Sequence, residues 1–289
     1  MSIVSIIIPT FNRSKLLDLL ISSYLNQPLV AEIIIVDDGS TIEDSLNIRK
    51  LCNESNIYVV RHEKRLGLPA ARNTGIDAAR SSLIFFGEDD VWLEEGHLGV
   101  LYRDMVLNNA DIIAGRLIKI DSLEEIKSRP DNNDGKQKSP DLINFKHLIG
   151  SFSCVTDKDV EVPFVHACSL IRKPVFTKIR YDASFLKNTY FREETDFYLR
   201  AWDAGYKIIY CPHTIAFHVK KTVAGENIAG GCGPKNSIVA GFQNQINNLK
   251  FSWKNRKIIK KLGIDPLLFI SNNIINSFRS ILLKKPFRN

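Results

Sequence analysis

The sequence predicts an α/β fold with a mainly parallel central sheet flanked by helices. Three observations carry that reading. Strand-like and helix-like segments alternate four times in the first 110 residues. The strand-like segments are apolar and β-branched, so both faces of the sheet must be covered. Polar clusters follow the strands at Thr10-Phe11-Asn12-Arg13, Asp37-Asp38 and Glu88-Asp89-Asp90. In such sheets ligands bind at the carboxyl ends of the strands.

Val4 to Ile8 is a short β-branched run closed by Pro9. Asn12 or Ser14 can cap a helix in which Leu16, Leu17, Leu20, Ile21, Tyr24 and Leu25 recur at helical spacing, ended by Gln27-Pro28. Glu32 to Val36 is a second strand, closed by Asp37-Asp38-Gly39-Ser40, and a helix from about Ile42 to Cys52 follows. Ile57 to Arg61 is a third strand. Pro69 suits a first helical turn, and Ala70 to Ala79 continues it. Leu83 to Phe86 is a fourth strand, Glu94 to Leu107 a helix, and Ile112 to Ile120 a strand. Residues 121–160 are polar and read as an excursion or mobile loop. Strands are expected at Val165 to Ile171, Lys207 to Cys211 and Ile215 to His218, with a helix over Glu193 to Ala204. The tail holds a Gly-rich stretch, Ala224 to Gly233, then helical patterns over Phe242 to Trp253 and Leu267 to Leu283.

The chain of 289 residues is 44% apolar and 25% charged, which excludes a disordered or coiled-coil protein. No apolar run approaches the roughly 20 residues of a spanning helix. The opening MSIVSIIIP lacks a basic stretch and is too short for a signal peptide. The cysteines are odd in number and widely spaced, with no CxxC pair, which points to a reducing compartment and against a zinc site or disulfide frame. The net charge of +7 is uneven. Residues 220–289 carry 13 Lys or Arg against Glu226 and Asp265, so a boundary is expected near 220. A basic tail can face anionic lipid, nucleic acid or an acidic partner; a solvated helical surface explains it equally.

Two nucleotide folds are excluded. Pro-Thr-Phe-Asn-Arg, not a Gly-rich loop, follows the first strand, and no phosphate-loop motif occurs. The acidic clusters suggest another chemistry. Carboxylates crowded at a strand end repel one another, and a hard divalent cation relieves that cost. Glu88-Asp89-Asp90 suits a metal–diphosphate site. Asp37 and Asp38 are good acceptors for a base imino group or ribose hydroxyls.

VSIIIPTFNR at 4–13, EIIIVDDGS at 32–40, GLPAARNTGI at 67–76 and FFGEDDVW at 85–92 together resemble the donor-binding half of the family 2 glycosyltransferases, inverting enzymes of the GT-A fold. FREETDFYLRAWDAGYKIIYCP at 191–212 resembles the family's acidic helix facing the acceptor. The resemblance covers roughly 1–220 and fades over 121–160. It implies a transferase domain over 1–220, divided into a nucleotide-sugar half (1–110) and an acceptor half (111–220); it gives little guidance after 220, where charge and helical spacing make 221–289 a basic helical extension.

The resemblance implies roles residue by residue. Pro9, Phe11, Asp38 and Arg72 meet the base and ribose, with Asp37 in support, and Arg13 or Arg65 reaches the donor. Asp89 is a metal ligand, with Asp90 or Glu88 beside it. The family has an Asp two places before its key aspartate. Here Gly87 stands there, which leaves the ligand register open by one residue. Glu194 matches the catalytic base, where the family has Asp, and Glu193 and Asp196 are near alternatives. His218 falls where relatives place a histidine approaching the metal. Each has a plainer rival: Arg72 in an ion pair, the three acids stabilising a helix dipole, His218 in the core.

The implied reaction moves a sugar from a nucleoside diphosphate to an acceptor hydroxyl with inversion. Mn²⁺ or Mg²⁺ neutralises the leaving diphosphate and a carboxylate takes the hydroxyl proton. The family favours a uridine donor, and thymidine and guanosine donors occur among relatives. The 224–233 loop is an expected lid. The implied partners are the donor and a glycan or lipid-linked acceptor, placing the protein in the cytoplasm or at the inner face of the cell membrane. Residues 264–289 supply an apolar stripe with basic flanks for peripheral membrane contact. No nucleic-acid partner is expected, since no RNA-binding signature appears. Three alternatives compete: a nucleotidyltransferase, which lacks its Gly-rich loop here; a degenerate transferase-like binding protein, to which Gly87 gives footing; and nucleic-acid binding by the tail.

Overall fold

A computed structural model of the chain describes residues 3–53, 56–127, 141–185, 189–219 and 237–273. Its first part alternates β1 (Val4–Thr10), α1 (Ser14–Leu25), β2 (Val30–Asp37), α2 (Ile42–Lys50), β3 (Ile57–Arg61), α3 (Leu68–Ala78) and β4 (Leu83–Phe86). Next come β5 (Val91–Leu93), α4 (His97–Leu107), β6 (Ile112–Ile120), α5 (Glu124–Lys127) and a small hairpin, β7 (Ile143–Asn144) and β8 (Ile149–Gly150). β9 (Val160–Glu161), β10 (Ser169–Arg172), α6 (Glu193–Asp203), β11 (Ile208–Val219), α7 (Ser237–Lys254) and α8 (Arg256–Lys261) follow. Residues 266–273 are also helical.

The main sheet runs β3-β2-β1-β4-β10-β6-β11-β5, with β9 paired to β11. The expected parallel order holds from β3 to β4 and again between β6 and β11. β10, β5 and β9 run antiparallel to their neighbours. Alternation within each strand explains why both faces are apolar. Ile7, Ile34, Val36, Ile84 and Phe86 enter one core with α3, α6 and α8. Ile6, Ile8, Ile33, Ile35, Leu83 and Phe85 enter the other with α1 and α4. Each such side chain contributes about 1.5–3 kcal/mol by leaving water.

Some details differ from the sequence reading. Neither Asn12 nor Ser14 caps α1 through its side chain; Asp44 of α2 accepts the Ser14 N–H at 3.0 Å instead. Val91–Leu93, short and adjacent to the acid cluster, forms an edge strand. The two expected strands after α6 are one, continuous through Pro212. The strand expected from Val165 starts only at Ser169. The excursion at 121–160 contains α5 and the hairpin.

The basic extension docks on the body. Phe251, Ile258, Ile259 and Phe269 belong to the α6-side core. Asp196 of α6 accepts from Lys254 at 2.9 Å and Asn255 at 2.8 Å. The expected lid at 224–233 and most of the 264–289 stripe lie outside the described residues.

Candidate active site

The polar clusters meet where the sequence reading put them. A cleft of about 350 Å³ opens at the carboxyl ends of β1, β2, β4 and β11, between α3 and the start of α6.

One wall is acidic. Gly87, Glu88, Asp89, Asp90 and His218 line it. Arg13 Nη1 stands between the two aspartates, 2.6 Å from Asp89 and 2.8 Å from Asp90. Thr10 donates to Asp89 at 2.8 Å, and His218 Nε2 lies 3.4 Å from Asp90. The Tyr24 hydroxyl donates to the Glu88 carbonyl at 2.9 Å and accepts the Glu88 N–H, fixing the loop. Burial, with repulsion from Glu194 and Asp90, pushes Glu88 up to about 7. Burial raises Asp89 as well, against the pull of Arg13. Burial also opposes the charge on Asp90, but His218 and Arg13 outweigh it and hold that carboxyl low. His218 is raised in turn by Asp90.

Gly87 has a steric reason. A Cβ there would meet Tyr24 at 2.7 Å and Ile8 at 3.0 Å. No acid fits at 87 without moving Tyr24, so the carboxylates of this loop begin at Glu88. Carboxylates beside an imidazole are the donor types a hard divalent cation takes; here burial is the main cause that raises Glu88 and Asp89, with repulsion from neighbouring carboxylates second to it.

The opposite wall centres on Arg72 of α3, which is 1% exposed. It pairs with Glu193, lies 3.1 Å from Glu194, and reaches Glu88 at 3.6 Å. Both glutamates lie in the first turn of α6. Glu193 is 1% exposed and Glu194 34%. Burial pushes Glu193 up to about 8; Arg72 pulls it down, and Glu194 pushes it further up. Tyr181 faces the Arg72 guanidinium at 5.1 Å.

The third side is a pocket of Pro9, Phe11, Asp38 and Arg65. Arg65 lies over the Phe11 ring at 4.2 Å. Asp38 accepts from the Leu66 and Gly67 amides, each at 2.8 Å, and bonds His62 Nδ1 at 2.8 Å.

Two predicted residues do not line the cleft. Asp37 is fully buried, pairing with Arg61 and accepting the Ser40 N–H. Asp196 is fully buried on the far side of α6, bound to Arg200, Lys254 and Asn255. Two residues of helix, about 200° of rotation, separate Glu194, which faces the cleft, from Asp196, which faces α7. The sequence reading placed Thr10 in a strand-end polar cluster without a role, and missed His62, Thr189 and Tyr190. His62 was findable, since it directly follows a strand end, as the named clusters do. Thr189 and Tyr190 join the cleft only through long-range packing.

A family model described as Glycosyl transferase family 2 matches residues 5–180. The chain belongs to this family. It is 29% identical over 235 residues to "Uncharacterized glycosyltransferase YwdF" of Bacillus subtilis, covering 80% of this chain and 79% of that one. It is 30% identical over 216 residues to "Succinoglycan biosynthesis protein ExoU" of Rhizobium meliloti, covering 72% and 59%. It is 35% identical over 115 residues to the "Cholesterol galactosyltransferase" of Borreliella burgdorferi, covering 39% and 32%. The chain spans about a third or less of the length of that protein and of similar curated relatives. Among solved structures, S. aureus TarS 1–349 with UDP-GlcNAc superposes at TM-score 0.60 and 15% identity, over 98% of this chain and 76% of that one. GalNAc-T7 with UDP, GalNAc and Mn²⁺ superposes at 0.61 and 16%, over 76% and 44%. These likenesses establish the GT-A fold.

Proposed function

We propose that the chain is an inverting glycosyltransferase that moves a sugar from a nucleoside-diphosphate donor, UDP-linked, to an acceptor hydroxyl in glycan synthesis. The observation that carries this reading is Arg72. One buried guanidinium joins Glu88 on the acidic wall to Glu194 on α6, so leaving group and acceptor meet across a single cleft.

The division of labour follows from exposure. Phe11, Asp38 and Arg65 take the base and ribose. Glu88, Asp89, Asp90 and His218 would hold Mn²⁺ or Mg²⁺, which when bound supplies Lewis-acid stabilisation of the diphosphate. Glu194, the exposed acid of its pair, takes the acceptor proton as the new C–O bond forms and the sugar–phosphate bond breaks from the opposite face. Arg72 orients that carboxylate. Glu193, buried against Arg72, supports from behind. Asp37 holds the backbone at Ser40, and Asp196 ties α6 to Lys254 and Asn255.

UDP bound in GalNAc-T7 and UDP-GlcNAc bound in TarS support the choice of uridine. The extension supports contact with an anionic membrane. Phe242, Ile246, Leu249 and Trp253 lie exposed along α7, and Lys257, Lys260 and Lys261 follow on α8. Among the described residues no helix is long and apolar enough to cross a membrane.

The test is a thermal-shift panel of nucleoside diphosphates with and without Mn²⁺ or Mg²⁺. UDP with metal should stabilise the full chain, by about 2.7 kcal/mol at a hundredfold excess over Kd. Asp89→Ala should remove the shift. No stabilisation by any diphosphate at millimolar concentration would move the chain to the binding-protein reading.

A further inference from the structure

The protein itself nearly uses up the acceptor capacity of Asp38. This residue directly follows β2 and lines the cleft. Its Oδ1 accepts the Leu66 N–H at 2.8 Å and bonds His62 Nδ1 at 2.8 Å. Its Oδ2 accepts the Gly67 N–H at 2.8 Å. The His62 nitrogen donates, because its partner is a carboxylate. A carboxylate offers about four lone-pair sites, two on each oxygen. Three are filled, so one acceptor remains, on Oδ2.

Three neighbouring elements build this arrangement. β2 and β3 pair in parallel with Asp37 opposite Arg61, which sets Asp38 beside His62. The His62 N–H donates to the Asp37 carbonyl at 2.9 Å and extends that ladder by one residue. Gly67 caps α3 at a φ of +106°, a conformation that favours glycine, and its amide and that of Leu66 turn to Asp38. His62 Nε2 lies 2.9 Å from Thr74 Oγ1 inside α3. The buried imidazole is thus held at both nitrogens, and it holds Asp38 in turn. His62 does not itself line the cleft.

We propose that His62 is a positioning residue for base selection: by filling Asp38 Oδ1 it leaves the cleft a single acceptor, suited to one imino N–H. The inference rests on the nucleotide-donor reading and narrows it. Uracil and thymine present one N–H, at N3, between two carbonyls. Cytosine presents a lone pair at N3, which a carboxylate oxygen repels. Guanine presents two adjacent donors, of which a single acceptor meets one, and a buried donor left without an acceptor is costly. Sites that leave the wrong ligand's polar groups unpaired discriminate strongly. Without His62, Oδ1 regains an open acceptor and the carboxylate loses a contact that fixes its plane, so the preference for a single-donor edge falls.

The test uses the full chain with Mn²⁺ and compares its affinities for UDP and CDP by titration calorimetry. The two ligands share ribose and diphosphate and differ at the base edge. The wild type should prefer UDP by roughly tenfold or more, the worth of one hydrogen bond to a charged acceptor. His62→Ala should bring the ratio close to one, chiefly by weakening UDP. His62→Asn, whose amide can donate from near the Nδ1 position, should restore most of the preference. A folded His62→Ala in which both diphosphates weaken by the same factor overturns the proposal, since general loosening of the pocket leaves the ratio unchanged. So does a wild type that binds the two alike. If His62→Ala does not fold, Thr74→Val carries the test: it removes the partner of Nε2 and should lower the ratio, and an unchanged ratio overturns the proposal. A wild type that binds no diphosphate refutes the donor reading itself and this inference with it, a result distinct from binding without preference.

Discussion

Glu193 and Glu194 are adjacent, chemically alike, and both bound to Arg72, so Gln replacements at the two sites separate their roles. Gln at 194 keeps an oxygen for Arg72, 3.1 Å away, but cannot take a proton. The pair it weakens is 34% exposed on the glutamate side, so the stability change should stay within about 1 kcal/mol. A general base contributes roughly 10²–10⁴ in rate, about 2.7–5.5 kcal/mol of barrier. Glu194→Gln should therefore lower kcat by that factor with donor binding unchanged. Glu193 differs because three carboxylates surround one guanidinium, and burial pushes Glu193 up to about 8. That upward shift favours the neutral acid, which Gln mimics. Glu193→Gln should change kcat by less than about tenfold. The assay is release of nucleoside diphosphate in the presence of acceptor, with donor affinity from the thermal shift. The reasoning is refuted if Glu194→Gln keeps full turnover while a folded Glu193→Gln loses it.

Burial lowers His97 to about 3 and His166 to about 4, so both stay neutral in the fold while the unfolded chain protonates them below about 6.5. Their contribution is complete above that pH and is lost as pH falls; at pH 5 each should cost about 2 kcal/mol, and His166→Gln should flatten the acid limb of a urea-midpoint profile. Asp196→Ala should loosen α7 and α8 from α6, costing about 2–4 kcal/mol, and limited proteolysis should then cut the extension faster. A Cβ on Gly75 would sit 2.3 Å from Ile7, so Gly75→Ala should destabilise by about 1–3 kcal/mol despite the better helix former; a raised Tm would contradict the packing of α3 on β1.

The first half of the fold was legible because its signals are local. Each strand is a contiguous apolar run, and each donor motif sits at the junction where that run ends. Signals fail where structure is decided at long range. β10 inserts antiparallel between β4 and β6, a pairing across more than 50 residues of sequence. Pro212 reads as a strand break, yet irregular pairing beside β6 lets the strand run through it. The acids of α6 were legible as a group but not as individuals. A helix turns about 100° per residue, so neighbours in sequence face different partners. That rotation buries Glu193 on Arg72, turns Glu194 to the cleft, and gives Asp196 to Lys254 and Asn255.

Gly87 shows how a departure from a family pattern can be structural rather than degenerate. From sequence alone, glycine in place of an acid suggests a lost ligand. In the fold that position lies against Tyr24, whose hydroxyl holds both backbone groups of Glu88. An acid at 87 and a tyrosine at 24 exclude each other. With Tyr24 in place, the loop presents Glu88, Asp89 and Asp90, and the cleft keeps three carboxylates. Arg13, Arg72 and His218 divide among them the charge that remains. A degenerate site would be expected to shed such charge, because crowded buried carboxylates destabilise a fold that has no use for them. Here the crowding is retained and braced by Arg13, Arg72 and His218.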